Sequence, residues 1–458
     1  MHMEFLNLFL GERILLPARS PVWLNRSFCI LSLSFPLLWF LNDGGADLLL
    51  KLIVLGFLFV FLTKKEVRQD ELVLLVLSLI VFLSWEYVWH VYAIPPDMLD
   101  GRFPDKYVNF FCFFVPIAYA TVVWRRISPY VILAAAAAGL LVFLMIYSPI
   151  ADWQLSWQGG RVALGFRNAQ HAGVFFGTAL LGICFFGPRM FKTVAGVKRV
   201  LVASLIFAFM ALMVYGVIVT QVRAVWIALL LAGFVGFLAF LMTGNFRNIL
   251  RWFKCRHRLA MTFLMLLGLG ALGNILGVQD RIEKRISQES VNIETVQEAI
   301  HFKSEKMTSS SVRIVLWTAA IDWIEDRPLL GWGMHSAGRL IEKDDRFSQE
   351  FKQSFGHLHN SYLEAWVALG AIGIFYLLAV IGWIARSVVC AWKGGVMPTD
   401  AFLFSWAFFA FWVVANCFES YINYASGFYL TTIIAGFLYA FQLQQRFGLN
   451  SISVDQST

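Results

Sequence analysis

Long apolar stretches that are nearly free of charge recur along the whole chain, each long enough to cross the ~30 Å hydrocarbon core of a bilayer. A backbone in lipid must satisfy its own hydrogen bonds, so runs of this length and composition read as helices. Only 14% of residues are charged and 59% are hydrophobic, whereas a soluble domain carries about a quarter charged residues. The fold class expected is therefore an all-α integral membrane protein, with about twelve transmembrane helices and one large periplasmic helical loop. The spans fall near 27–42, 46–63, 71–92, 107–124, 128–148, 170–187, 200–219, 224–242, 260–278, 362–385, 401–419 and 423–442. Residues 1–278 then hold helices one to nine, 279–361 the large loop, and 362–458 helices ten to twelve with a short cytoplasmic tail. The first 26 residues lack an apolar core followed by a small-residue cleavage site, so no cleavable signal peptide is expected.

Orientation follows from the placement of lysine and arginine. With both termini in the cytoplasm, the cytoplasmic segments hold 20 of these residues and the short loops opposite hold five: Arg102, Lys106, Arg161, Arg167 and Arg223. That bias puts the 279–361 segment in the periplasm. In a membrane protein the location of the charge matters more than its sum, so the net charge of +8 implies no nucleic-acid partner. The six cysteines all lie in spans or short loops, so no disulfide framework is expected in the large loop. Within that loop, SVRIVLWTAAIDWIED (311–326) places Val312, Leu316, Ala319 and Trp323 at helical spacing, and Pro328 ends the helix.

In this topology Arg161, Arg167, His171, Arg223, Arg313, His357 and His359 all fall at one membrane face, each group from a different loop or span end. Several cations around one cavity suit a diphosphate, because guanidinium forks bind phosphate oxygens in pairs. The plain alternative for any one of them is snorkelling to the interface. Ser361 and Glu364 match an S-x-x-E capping box, which starts a span at Ser361 and leaves His359 just before a helix N-terminus. The dipole there disfavours imidazolium, and a neutral imidazole is what a general base requires. His357 and His359 could share a metal only with a third ligand from His335, His301 or an acidic residue; no paired-ligand motif supports this, and no metal is expected. Gly370, Gly373 and the Ala134–Ala138 run read as close helix-packing positions. Trp153 and Trp157 read as part of an interfacial aromatic belt.

Four segments resemble the O-antigen ligase and polymerase superfamily. His359-Asn360, nine residues, then Gly370-x-x-Gly373 is similar to the motif H-[NSQ]-x9-G-x-x-G. Arg313 opens an R-x-x-x-W element that runs on to the PLLGWG turn. TQVRAVW surrounds Arg223, with Val222 where the family usually has Ser, and GFRNAQHAG surrounds Arg167, with Gln170 where a second Asn is usual. The resemblance implies a membrane glycosyltransferase acting by metal-independent inverting transfer, without a cofactor. Its donor would be undecaprenyl-diphosphate-linked O-antigen, its acceptor a hydroxyl of lipid A–core, and membrane lipid its surroundings, at the inner membrane of a Gram-negative bacterium. His359 matches the general base; Arg223 and Arg313, with Arg167, match the grip on the donor diphosphate. His357, His171, Asn360 and Arg161 stand near enough in the pattern for acceptor-binding or supporting roles. The rival readings are an O-antigen polymerase or protein O-oligosaccharyltransferase of the same superfamily, and a lipid-linked glycan transporter. A transporter would carry charges deep within its spans, and these spans are almost free of them.

Overall fold

A computed structural model describes residues 22–96, 105–123, 128–192, 194–244 and 308–447, together with 277, 279–281 and 283. Every regular element among these residues is helical. Nine of the helices are long and apolar enough to cross a membrane. In chain order the helices are α1 (Val22–Leu38), α2 (Asp43–Thr63), α3 (Lys65–Arg68), α4 (Glu71–Ala93), α5 (Asp105–Cys112), α6 (Phe114–Val123), α7 (Tyr130–Tyr147), α8 (Ile150–Trp157), α9 (Ala169–Lys192), α10 (Gly196–Thr220), α11 (Arg223–Met242), α12 (Ser309–Asp326), α13 (Ser336–Lys343), α14 (Gln349–Ser354), α15 (Ser361–Lys393), α16 (Thr399–Phe418) and α17 (Ala425–Arg446).

The expected spans map onto these helices with two differences. The span expected at 107–124 is two helices, α5 and α6, broken at Phe113. Pro116 has no N–H to give the Cys112 carbonyl, so an uninterrupted helix loses a hydrogen bond at that point. Apart from residue 277, the span expected at 260–278 lies outside the described residues, as does His301. Helix α17 is the hub: 83% of its apolar window is buried, and it packs on α5, α6, α7 and α15. Helices α11 and α16 approach closely through small residues; a methyl group on Gly236 would meet the Ala407 Cβ at 3.4 Å. A second, smaller apolar core joins α12, α13 and α14 into a cap, with Val312, Leu316, Ala319 and Trp323 all buried in it. The alanines of α7 do not pack as expected: Ala134, Ala136 and Ala137 line a cavity.

The cap is fastened to the bundle by backbone exchange in α15. Gly370 breaks the helix with φ 62° and ψ −165°. In an unbroken helix Ala371 and Ile372 would donate to the carbonyls of Val367 and Ala368. Here those N–H groups donate to Pro328 (2.8 Å) and Leu329 (3.3 Å), while Trp332 and Gly333 donate to the Val367 (2.8 Å) and Ala368 (2.9 Å) carbonyls. The PLLGWG turn therefore supplies the partners that the break removes. Gly370 is not a packing glycine but a conformational one. A Cβ on it would lie 2.3 Å from the Leu329 backbone, and the left-handed φ disfavours any side chain. His90 of α4 braces the same turn through Nε2 and the Gly331 carbonyl, 3.3 Å apart.

Candidate active site

The N-terminal end of α15 and the loop before it carry the two candidate histidines. Helix α15 begins at Ser361 as expected, but the cap is Asn360, whose side-chain oxygen accepts from Tyr362 N (3.0 Å) and Leu363 N (3.1 Å). The S-x-x-E capping box does not form. Glu364 is buried and instead accepts from Leu358 N (2.9 Å) and the Ser420 hydroxyl (3.1 Å). On its other side, Leu358 is held by Trp317, whose indole N–H donates to the Leu358 carbonyl at 3.0 Å. A fully buried residue pinned at both backbone groups thus separates His357 from His359. His359 itself takes φ 52°, a conformation that surrounding contacts must enforce.

Both rings converge on Glu419, in the loop between α16 and α17. His357 Nε2 lies 3.2 Å from Oε1, and His359 Nδ1 lies 3.3 Å from Oε1 and 3.4 Å from Oε2. Glu419 is only 3% exposed in its side chain. Its backbone is cross-braced to the α15 end: the Ser361 hydroxyl donates to the Glu419 carbonyl (3.0 Å), and Asn360 N donates to the Ser420 hydroxyl (3.1 Å). Burial alone would raise the Glu419 carboxyl. Hydrogen bonds from His357 and His359, with the charge of the two rings, outweigh it and hold the group well below the usual carboxylate range.

Gln170 links this cluster to an arginine. With its amide oriented to satisfy both neighbours, it donates to Glu419 Oε2 and accepts from Arg313 Nη2 at 2.9 Å. Arg313 also lies over the Phe418 ring, 5.9 Å from its centroid. Arg167 sits over the Tyr424 ring at 4.8 Å, and the Tyr424 hydroxyl lies 3.3 Å from His357 Nε2. A polar cavity of about 340 Å³ is lined by Arg161, Gln170, His357, His359, Glu419 and Tyr424 among others. Arg161 is held to the α10–α11 joint through its Nε and the Thr220 carbonyl, 3.1 Å.

The structure thus brings together His357, His359, Arg161, Arg167 and, through Gln170, Arg313. Arg223 is the first residue of α11, as its place in TQVRAVW suggests, but it is not among the residues lining the cavity. It stands three residues beyond the carbonyl that holds Arg161. His171 is buried behind the cavity, its Nδ1 2.5 Å from the Ser426 hydroxyl and its ring edge-on to Tyr424. Asn360 serves as the helix cap. Trp153 stacks on Tyr215, 5.6 Å between centroids.

The sequence offers an acidic residue as one possible third partner for the two histidines, and Glu419 is that residue. The donor atoms of His357, His359 and Glu419 all lie within 4.8 Å of one another, the one such grouping among the described residues. The two rings, Ser420 N (3.0 Å) and the Gln170 amide occupy both carboxylate oxygens. Glu419, Tyr424, Gln170 and Trp317 are the site residues that reading along the chain missed. One signal was present for Glu419, which is the only carboxylate between Ala401 and Gln442.

Comparison with known proteins places this geometry in context. An uncharacterized protein of Haemophilus influenzae is 29% identical over 126 residues, 27% of this chain and 31% of its own length. The match thus spans about a third of that relative. Residues 208–378 match the sequence profile of the family described as O-Antigen ligase. That stretch contains Arg223, Arg313, His357, His359 and the Gly370 break, while Arg161, Arg167 and Glu419 lie outside it. Over residues 208–378, then, the chain is similar to the O-antigen ligase family.

Proposed function

We propose that this protein transfers a glycan from an undecaprenyl-diphosphate carrier to a hydroxyl of lipid A–core, at the periplasmic face of the inner membrane. The observation that carries the reading is the convergence of His359, His357 and Glu419 with Arg161, Arg167 and the Gln170–Arg313 link around one polar cavity. The carboxylate of Glu419 faces His359 Nδ1 and favours the tautomer with its proton there, so Nε2 keeps a lone pair. His359 then takes the acceptor hydroxyl proton as the oxygen attacks the anomeric carbon in line, and the glycosidic bond to the diphosphate breaks with inversion. The leaving diphosphate gathers negative charge as the bond breaks. Arginine donors held beside the cavity stabilise that charge more in the transition state than in the ground state. Arg313 and Arg167 fill this role, with Arg223 and Arg161 at the α10–α11 joint.

The reading is tested by complementation of a ligase-deficient Gram-negative strain carrying a matching core, scored by lipopolysaccharide banding. A ladder restored by the wild type and lost with His359→Ala supports it. Glycan that stays on the polyprenyl carrier, or appears on periplasmic proteins, replaces ligation with the polymerase or protein-glycosylating reading.

A further inference from the structure

A second polar cavity, of about 120 Å³, lies where the N-terminal end of α4 meets the far ends of α15 and α17. Tyr424, just before α17, lines the histidine cavity, and Gln442 of α17 lines this one. They are about 27 Å apart at the helical rise, close to the ~30 Å hydrocarbon core. The two cavities therefore stand at opposite ends of the bundle, about a membrane apart, and the transfer chemistry makes no use of the second.

One wall of it is rigid. Asp70, whose side chain is 2% exposed, caps α4 by accepting from Leu72 N (3.0 Å), and also accepts from the hydroxyls of Tyr119 (2.5 Å) and Tyr439 (2.7 Å). Arg446 Nη1 lies 3.4 Å from the same carboxylate, while its Nη2 donates to the Gln69 (3.0 Å) and Glu66 (3.2 Å) carbonyls. The other wall is looser. Arg386 of α15 stands over the Trp383 ring at 4.8 Å and lies 3.6 Å from Glu71, the two being 62% and 67% exposed. An exposed pair at that distance is worth little, so both groups can turn to a ligand. Gln442 adds an acceptor: its side-chain oxygen is buried with no hydrogen-bond donor among the described residues, a costly state.

Two guanidinium groups and two carboxylates give the cavity no net charge. A simple anion meets the carboxylates and a simple cation meets the guanidiniums, whereas a zwitterion satisfies both. Guanidinium forks take phosphate oxygens, and a primary ammonium brings three N–H donors, enough for Glu71 and the Gln442 oxygen. The neighbouring surface is apolar. Leu74 and Leu378, both exposed, lie inward from Glu71 and Arg386 on the same sides of α4 and α15. Between Leu378 and Arg386, a methyl group added to Gly382 would meet nothing within 4 Å. We propose that the cavity holds the phosphoethanolamine headgroup of a membrane phospholipid, its phosphate on Arg386 and Arg446 and its ammonium on Glu71 and Gln442. The acyl chains run inward along α4 and α15, and the lipid joins two helices that the Arg386–Glu71 pair alone holds weakly.

The test uses the full-length, delipidated protein in detergent, with lipid binding read by native mass spectrometry. Three lipids compete: phosphatidylethanolamine, phosphatidylcholine, whose methylated ammonium cannot donate, and phosphatidylglycerol, which has the phosphate and no ammonium. Wild type is expected to bind phosphatidylethanolamine about tenfold or more tightly than either rival, the worth of one hydrogen bond to a charged group. Glu71→Gln is expected to abolish the advantage over phosphatidylglycerol, and Arg386→Ala to weaken all three lipids by a similar factor. Both side chains are exposed, so neither change threatens the fold. Equal binding of the three lipids by wild type overturns the assignment, as does a preference for phosphatidylglycerol or an ethanolamine advantage that survives Glu71→Gln. Binding untouched by Arg386→Ala overturns the phosphate contact and the site with it. Soluble phosphoethanolamine that displaces the lipid at equal concentration shows a site for the free zwitterion, and the lipid assignment falls.

Discussion

The indole N–H of Trp317 donates to the carbonyl of Leu358 at 3.0 Å, reaching from the cap to the residue between the two histidines. With Glu364 holding the N–H of the same residue, the cap fixes the direction in which His357 and His359 point. Trp317→Phe keeps most of the ring and removes the donor. A net hydrogen bond is worth about 1 kcal/mol, and small misplacements of a reacting group have large effects on rate. The expected outcome is a transfer rate lowered about tenfold or more, with the thermal midpoint little changed.

The two histidines are expected to differ. His359→Ala should lower transfer by about 10²–10⁴-fold, the usual range for a general base, with donor binding retained. His357 shares Glu419 and Tyr424 but does not adjoin the Asn360 cap, and His357→Ala should cost less. Single-turnover rates on both variants check this, and equal losses would mean that the pair acts as one unit.

Glu419 links the site to pH. Its folded carboxyl is held below the ordinary glutamate value of about 4.3. A depressed acid stabilises the fold fully above its unfolded pKa, and that contribution is lost as pH falls through the lower folded value. The stability difference between wild type and Glu419→Gln should therefore not shrink between neutral pH and about pH 4.3, and should fall only below it. Thermal midpoints measured against pH read this directly; a difference that fades between neutral pH and pH 5 would contradict it.

Gly370→Ala tests the cap joint. A side chain must adopt φ 62° and displace the Leu329 backbone, which places the change among the strongly destabilising class, about 3 kcal/mol or more. Gly382→Ala supplies a comparison inside the same helix, with ordinary backbone geometry and nothing within 4 Å of the added methyl group, and should be milder. Detergent thermal melts distinguish the two.

Donor binding should weaken in Arg313→Ala and Arg223→Ala, while chelators should leave transfer intact. Donor affinity unchanged in both variants would remove the diphosphate role. Activity lost with a chelator and restored by Zn²⁺ or Mg²⁺ would assign the His357–His359–Glu419 grouping to a cation instead.

Much of this was legible along the chain, because hydropathy reports lipid contact residue by residue. The span starts at Arg223 and Ser361 and the apolar stripe of α12 were fixed by local patterns. What escaped were relationships set by distant residues. The helix is apolar from Ala365 to Ala385, on both sides of Gly370, so nothing local reveals that a turn some forty residues upstream takes over its hydrogen bonds. Glu364 fits a capping box in sequence, yet the Leu358 N–H and Ser420 hydroxyl compete for its carboxylate and win. Glu419 meets the histidines from sixty residues away in the chain. Arg167 and Arg313 were recognised as cations at one face, but Gln170, which joins Arg313 to the cluster, looked like a departure from a pattern.

The exchange at Gly370 also orders how the protein is made. The break lies nine residues into α15, so about 13 Å of helix precedes it, and exposed backbone groups in lipid cost several kcal/mol each. The partners that satisfy them come from Pro328–Gly333, synthesised earlier and folded as part of the cap. Biogenesis must therefore deliver the cap turn to α15 as that helix settles in the bilayer, and a cap that fails to fold leaves the membrane domain itself unfinished.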